Sequence, residues 1–195
     1  MKVTQTQQRA LLRIFTAKTW PQRLGALLIV GLALWSYLKP SPPTSGELQR
    51  GMQLSAQVVG VADGDTITVL SDDRKQYKLR LAFIDAPEKA MPFGQVAKQA
   101  LSDLIYRQTV TASIIDVDRY GRGVAVIEHN QRDINLQQVT AGLAWHYTQY
   151  TKGQSSTDFE RYESAQTQAK SQKTGLWADQ HPTPPWDWRK ANRNN

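Results

Sequence analysis

The stretch from Lys78 to Glu88 constrains this chain more than any other. Its first half alternates, with Leu79, Leu81 and Phe83 set against Lys78, Arg80 and Ala82. That is the period-2 signature of a half-buried strand, and it projects Arg80 from the face opposite the apolar row. Its second half, Asp85-Ala86-Pro87-Glu88, cannot continue the strand. Pro87 has no N–H to donate and restricts the residue before it. Asp85 and Glu88 therefore sit on a stiff turn at a strand end, within reach of one another. An arginine and two carboxylates at a rigid corner suit metal-assisted phosphate chemistry. The carboxylates hold a hard cation and position water, and the guanidinium forks onto phosphate oxygens.

Two more stretches extend this set. Ala62-Asp63-Gly64-Asp65-Thr66 is a turn leading into a strand, because Asp-Gly is a hairpin signal. It leaves Asp65 at the strand entrance and gives Asp63 to the turn itself. Asp118-Arg119-Tyr120-Gly121-Arg122-Gly123 is a second turn between strands. Together the three stretches offer three acids for a cation (Asp65, Asp85, Glu88) and two arginines for a phosphate (Arg80, Arg122).

The surrounding pattern gives the architecture. Strands are expected over residues 53–61, 66–70, 76–84, 110–116 and 123–128, with 71–75 closing the hairpin between the second and third. A helix is expected over 95–107, where Ala97, Ala100, Leu101, Leu104 and Ile105 form one apolar face. A shorter one over 135–141 ends at Gly142, and a third over 157–173 opens on a Thr157/Glu160 capping box and ends at Gly175. Five short strands with a helix after the third read as an α+β fold, a five-stranded OB-type β-barrel with three helices.

In this order, Asp63-Gly64-Asp65-Thr66, Arg80-x-x-x-Ile84-Asp85-x-Pro87-Glu88 and Tyr120-Gly121-Arg122 resemble the staphylococcal nuclease (thermonuclease) family. The resemblance covers residues 54–177 and implies the same barrel. By resemblance, Asp65 and Asp85 are carboxylates that bind Ca2+. Ala86 stands where the family often has threonine, and its main-chain carbonyl is the third protein ligand. Glu88 matches the catalytic glutamate, and Arg80 and Arg122 match the catalytic arginines. Tyr120 matches a residue near the nucleotide phosphate, and Tyr147 or Tyr150 matches an aromatic that stacks on the base. The segment after Glu88 is shorter than in the founding enzyme. The implied activity is calcium-dependent hydrolysis of DNA and RNA with little sequence specificity, cutting on the 5′ side of the phosphate. Both roles for Glu88, general base or positioner of metal and water, stay open on sequence alone.

Composition narrows the remaining classes. The chain has no cysteine, which excludes a disulfide framework, thiolate metal sites and a cysteine nucleophile. The three histidines, His129, His146 and His181, form no i, i+4 metal pair. The net charge of +7 is carried by the N-terminal part. Residues 1–39 hold six basic and no acidic residues, whereas the rest of the chain holds 18 basic and 17 acidic. The domain is thus nearly neutral, without the broad basic face that drives non-specific nucleic-acid binding.

At the N-terminus, the basic segment 1–23 precedes an uncharged run over 24–38. The run is expected to be a single hydrophobic (transmembrane) helix, with a cleaved signal peptide as the competing reading. The charge bias places the N-terminus in the cytoplasm and the catalytic domain outside, in the periplasm or beyond the cell; cleavage would make the protein secreted. Residues 39–52 form a Pro/Ser-rich linker, 53–178 the nuclease-like domain and 179–195 a Pro/Trp-rich tail. In the tail, tryptophans folded back onto the domain compete with a polyproline ligand for a partner. DNA and RNA are the expected partners, alongside the membrane, and the expected state is a monomer. Two other classes remain as alternatives: a catalytically inactive OB-type module that binds nucleic acid or protein, and a scaffold acting through the tail.

Overall fold

Apolar alternation closes the strands of this chain into a barrel. The computed structural model describes Leu28, Leu32, Trp35, Thr44, Ser45 and residues 47–192. The chain divides into two units, Met1–Pro42 and Pro43–Asn195. In the second, the elements run β1 (Thr44–Ser45), β2 (Gln53–Val61), β3 (Thr66–Ser71), β4 (Lys75–Leu81), β5 (Ile84–Asp85), α1 (Gly94–Ile105), β6 (Thr109–Val117) and β7 (Gly123–His129). They continue with β8 (Arg132–Asp133), α2 (Ile134–Thr140), β9 (Trp145–His146), α3 (Ser156–Ser171), a 3-10 turn (Gly175–Ala178) and α4 (Pro185–Ala191).

The barrel strands lie in the order β4-β3-β2-β6-β7, and a parallel pairing of β4 with β7 closes the ring. Closure brings Leu79 opposite Gly123 and Arg80 opposite Val124. Gly123 permits that approach: a Cβ there would lie 2.8 Å from Leu48 Cδ1 and 2.9 Å from Leu79 Cδ2. Register shifts at Val58/Gly60 and Ile114/Asp116 bend the two long strands, as barrel closure requires. Val58, Ile67, Val69, Leu79 and Ile127 are fully buried in the core, each contributing roughly 1.5–3 kcal/mol of transfer free energy.

β4 stops earlier than its periodicity indicates. Phe83 adopts a left-handed backbone, φ 66, and the chain turns there. It restarts as β5, which pairs with β9 rather than with the barrel. This break buries Asp85 beside Arg80 of β4. α1 buries Ala97, Leu101 and Ile105. α2 is capped by Asp133, whose side chain accepts the Leu136 N–H, and the Tyr162 hydroxyl of α3 donates to both oxygens of that Asp133. The expected Thr157/Glu160 capping box is replaced by Ser155, which accepts the Asp158 N–H at 3.1 Å.

The tail forms a fourth helix with Trp186 folded back onto the domain, the reading that competed with a polyproline ligand. Pro185 sits in its first turn, where a missing N–H costs nothing. Trp186 packs edge-on to Trp145 and stacks on Tyr147. The expected membrane helix over 24–38 lies almost entirely outside the described residues. Among those described, Leu28, Leu32 and Trp35 are helical and exposed. No helix among the described residues is long and apolar enough to cross a membrane.

Candidate active site

Two buried carboxylates meet at the end of β4. Asp65 is 3% exposed and Asp85 is fully buried. The turn before β3 fixes Asp65: its N–H donates to Asp63 Oδ1 at 3.1 Å. Gln138 of α2 ties the same turn down, donating to the Gly64 carbonyl at 2.8 Å and the Ala97 carbonyl at 3.0 Å. Gly64 has no room for a side chain, since a Cβ would lie 2.7 Å from the Ala97 Cβ and 2.8 Å from the Ala86 Cβ. Asp65 Oδ1 accepts the Thr66 hydroxyl at 2.9 Å, and Oδ2 accepts the Ala86 N–H at 2.9 Å. That last bond pins the Asp63–Asp65 turn to the segment just after β5.

Arg80 lies between the two acids. Its Nη2 donates to Asp85 Oδ1 at 2.6 Å and stands 3.2 Å from Asp65 Oδ2. Burial opposes the Arg80 charge, but Asp65 and Asp85 outweigh it and hold the guanidinium above its usual value. Burial lifts the Asp85 carboxyl above the ordinary carboxylate range, with the Asp65 charge adding to the rise against the pull of the arginines. Asp63 is pushed up to about 6, first by burial and then by Asp65. Removing acids from water is costly unless opposite charge compensates them, and at Asp85 burial outweighs the pull of the two arginines. An all-oxygen, buried, anionic donor set fits a hard cation. Among the described residues, no three His, Cys, Asp or Glu side chains converge as a ready-made metal cluster.

Glu88 follows on the turn after β5. Its N–H approaches Met91 Sδ at 3.3 Å, and its carbonyl accepts the Met91 N–H at 2.8 Å. Gly94 backs this turn so closely that a Cβ there would overlap the Glu88 carbonyl oxygen and sit 2.8 Å from its carbon. Both are backbone atoms and cannot rotate away. Gly94→Ala should therefore displace the Glu88 turn, at a stability cost of about 1–3 kcal/mol from overpacking, with loss of Glu88-dependent activity beyond what unfolding explains. Denaturant midpoints and rates on the same preparation check this; unchanged values for both would contradict it.

The Glu88 carboxylate has a partner that sequence reasoning missed. Arg189 of α4 donates through Nη1 to Glu88 Oε1 at 2.8 Å. The same guanidinium donates to Asp85 Oδ2 at 2.6 Å and to Asp85 Oδ1 at 3.2 Å. Arg189 is 104 residues from Asp85 along the chain, and no spacing rule connects them. The available signal was a proline-led Trp186-Asp187-Trp188-Arg189 segment.

Arg122 and Tyr120 stand on a separate turn. Asp118 organises it, accepting the Tyr120 N–H at 2.8 Å and the Arg122 N–H at 3.0 Å, with Arg122 Nε donating to its second oxygen at 2.7 Å. Arg122 thus pairs with Asp118 rather than with the acids beside Arg80. It immediately precedes β7, two residues from Val124, the register partner of Arg80. Tyr120 is exposed, its ring 4.9 Å from the Arg119 guanidinium and 5.4 Å from that of Arg122. On the β9 side, Tyr147 and Tyr150 stack at 5.8 Å, and Tyr147 also stacks on Trp186 at 5.1 Å. Of the residues singled out by sequence, Asp65, Arg80, Asp85, Ala86 and Glu88 are brought together. Arg122 with Tyr120, and Tyr147 with Tyr150, lie on neighbouring elements without a direct bond to that cluster.

Comparison with known proteins gives the family. The family model described as "Staphylococcal nuclease homologue" matches residues 78–179. An uncharacterized endonuclease of Haemophilus influenzae is 42% identical over 141 residues, covering 72% of this chain and 76% of the relative. A micrococcal nuclease of Shigella flexneri is 41% identical over 147 residues, covering 71% of this chain and 82% of the relative. An uncharacterized endonuclease of Escherichia coli O157:H7 is 41% identical over 137 residues, covering 70% of this chain and 85% of the relative. With a closed five-stranded barrel, paired acids at the end of β4 and relatives of this extent, the chain belongs to the staphylococcal nuclease family.

Proposed function

We propose that this protein is a calcium-dependent nuclease that hydrolyses phosphodiester bonds of DNA and RNA with little sequence preference. The observation that carries the reading is Arg80 set between buried Asp65 and Asp85, with Glu88 one turn further on. Asp65, Asp85 and the Ala86 main-chain carbonyl would hold Ca2+, with water completing an irregular oxygen shell. When bound, the ion supplies positive charge for the phosphate and acidifies nearby water. Glu88 would orient the attacking water and accept its proton as the new O–P bond forms and the P–O bond to the 5′ oxygen breaks, that oxygen leaving as an alcohol with a proton from solvent. Arg80 and Arg122 donate to the non-bridging oxygens, and those bonds strengthen as charge builds. For Arg122 this means exchanging Asp118 for phosphate. Tyr120 borders the phosphate, and Tyr147 and Tyr150 offer a face for a base, which is sequence-tolerant because every base has one.

Location is also a proposal. The 24–38 run is expected to anchor the protein to a membrane, N-terminus in the cytoplasm, with the nuclease domain outside, or to direct secretion if it is cleaved. Support comes from its lack of charge behind five basic residues and from Leu28, Leu32 and Trp35. Their i, i+4, i+7 spacing puts these apolar side chains on one helical face, each more than half exposed.

Glu88→Ser and Arg122→Ala test the roles of the two side chains. Losing one donor or acceptor of this kind costs about a hundredfold in turnover, so cleavage of denatured DNA by either variant should fall by that order with the fold intact. Folded variants that cut at the wild-type rate would remove these residues from the mechanism.

A further inference from the structure

We propose that Arg189 competes with the divalent cation for Asp85 and Glu88, so that helix α4 covers the active site until the cation displaces it. This rests on the reading of Asp85 as a cation ligand and Glu88 as the acid beside the attacking water.

The geometry is that of a substitute cation. Arg189 contacts both oxygens of Asp85, at 2.6 and 3.2 Å, and Arg80 takes Oδ1 as well at 2.6 Å. Three donors thus fill most of the roughly four lone-pair sites that a carboxylate offers. The other arm of Arg189 reaches Glu88 at 2.8 Å. One guanidinium therefore spans the acid that would ligate the metal and the acid that would hold the water. A cation drawn to Asp85 meets a like charge already seated there, and at such distances like charges repel strongly in a partly desolvated site. Burial works against the Arg189 charge, yet its bonds to Asp85 and Glu88 hold it well above the usual arginine value.

A second observation concerns the base side. Tyr147, the candidate platform, already stacks on Trp186 of the same helix, with ring planes 24° apart. Seven residues thus cover both the cation side and the base side. The polar tie of this cover is Arg189. Among the described residues, every side-chain hydrogen bond from α4 to the rest of the domain comes from Arg189. The remaining attachment is apolar, through buried Pro185, through Trp186 on Trp145 and Tyr147, and through Trp188 beside Pro87, Met91 and Phe93. Loss of the Arg189 bonds on cation binding would leave α4 held by that apolar contact alone.

Where the competent state is a fraction of the population, apparent affinity falls by that fraction. The test uses the full chain. Calcium binding is measured by titration calorimetry for wild type, Arg189→Gln and Asp85→Asn, and hydrogen exchange over residues 185–192 is followed in wild type with and without calcium. Arg189→Gln should bind calcium about tenfold more tightly, with a matching drop in the calcium needed for half-maximal cleavage. In wild type, calcium should accelerate exchange over 185–192, a readout that does not depend on the variant folding. Equal or weaker binding by Arg189→Gln, or calcium-insensitive exchange in α4, would overturn the competition and make Arg189 a positioning residue. Binding that is lost in Asp85→Asn and equal in the other two defeats the competition alone. No calcium binding by any form defeats the assignment of Asp85 together with it.

Discussion

Arg80→Ala is expected to lose about a hundredfold to a thousandfold in cleavage rate and to cost the cation-free protein about 3 kcal/mol of stability. The two losses have one origin. Arg80 stands between Asp65 and Asp85, acids that are 3% and 0% exposed, and its Nη2 serves both. Removing it leaves buried negative charge with, among the described residues, only Arg189 on Asp85 and no cationic side chain on Asp65. Folding stability of a domain is typically about 5–15 kcal/mol, so the loss is a large share. If Asp65 and Asp85 hold calcium as proposed, the ion should restore part of the stability by supplying charge to the same carboxylates, but little of the rate, because the proposed donor to the phosphate is gone. Urea midpoints with and without calcium, beside single-turnover cleavage, separate the two effects. A variant as stable as wild type without calcium would show that the acids do not depend on Arg80.

Asn135→Ala should do the opposite, costing stability without touching the chemistry. Asn135 opens α2 and is fully buried. Its Oδ1 accepts the Ile127 N–H at 3.2 Å, and its Nδ2 donates to the carbonyls of Ala82 and Ala125 at 3.1 and 3.0 Å. One amide thus serves three backbone groups where the chain leaves β4 beside β7. Alanine leaves them unpaired out of water, at about 1–3 kcal/mol for each group that finds no other partner. The Ala125 carbonyl keeps the Ala82 N–H at 2.8 Å, so a total of about 3 kcal/mol is expected. The turnover of the folded fraction should stay near wild type, since no atom of Asn135 reaches the acids. A denaturant-midpoint shift below about 1 kcal/mol would mean that water replaces the amide.

These two residues differ in how visible they are in the sequence. Arg80 is legible because a strand imposes period 2, and the alternation of Leu79 and Leu81 fixes which way it points. Asp65 and Asp85 are legible because Asp-Gly and Ala-Pro mark the ends of strands. Asn135 is not, because a polar residue near a helix start usually reads as a cap, and the cap here is Asp133. The early end of β4 is hidden for a related reason. Phe83 takes a positive φ that a non-glycine residue seldom adopts, held by the Tyr147 N–H on its carbonyl at 2.8 Å and by the pairing of β5 with β9. The α3 cap falls two residues before its expected place, since Ser155 and Thr157 are equally good caps by residue type. Arg189 lies furthest from view. Its contacts join segments about a hundred residues apart, and tryptophans that fold back onto the domain do not say which acid an arginine beside them will meet.

The most direct single measurement is the initial rate at which the folded full chain cuts denatured DNA and RNA, in calcium and in EGTA, with the product ends identified. The proposed calcium-dependent activity predicts cleavage of both substrates in calcium, none in EGTA, and 3′-phosphate ends. A folded chain that binds single strands in calcium yet leaves them intact would contradict it and make the barrel a binding module.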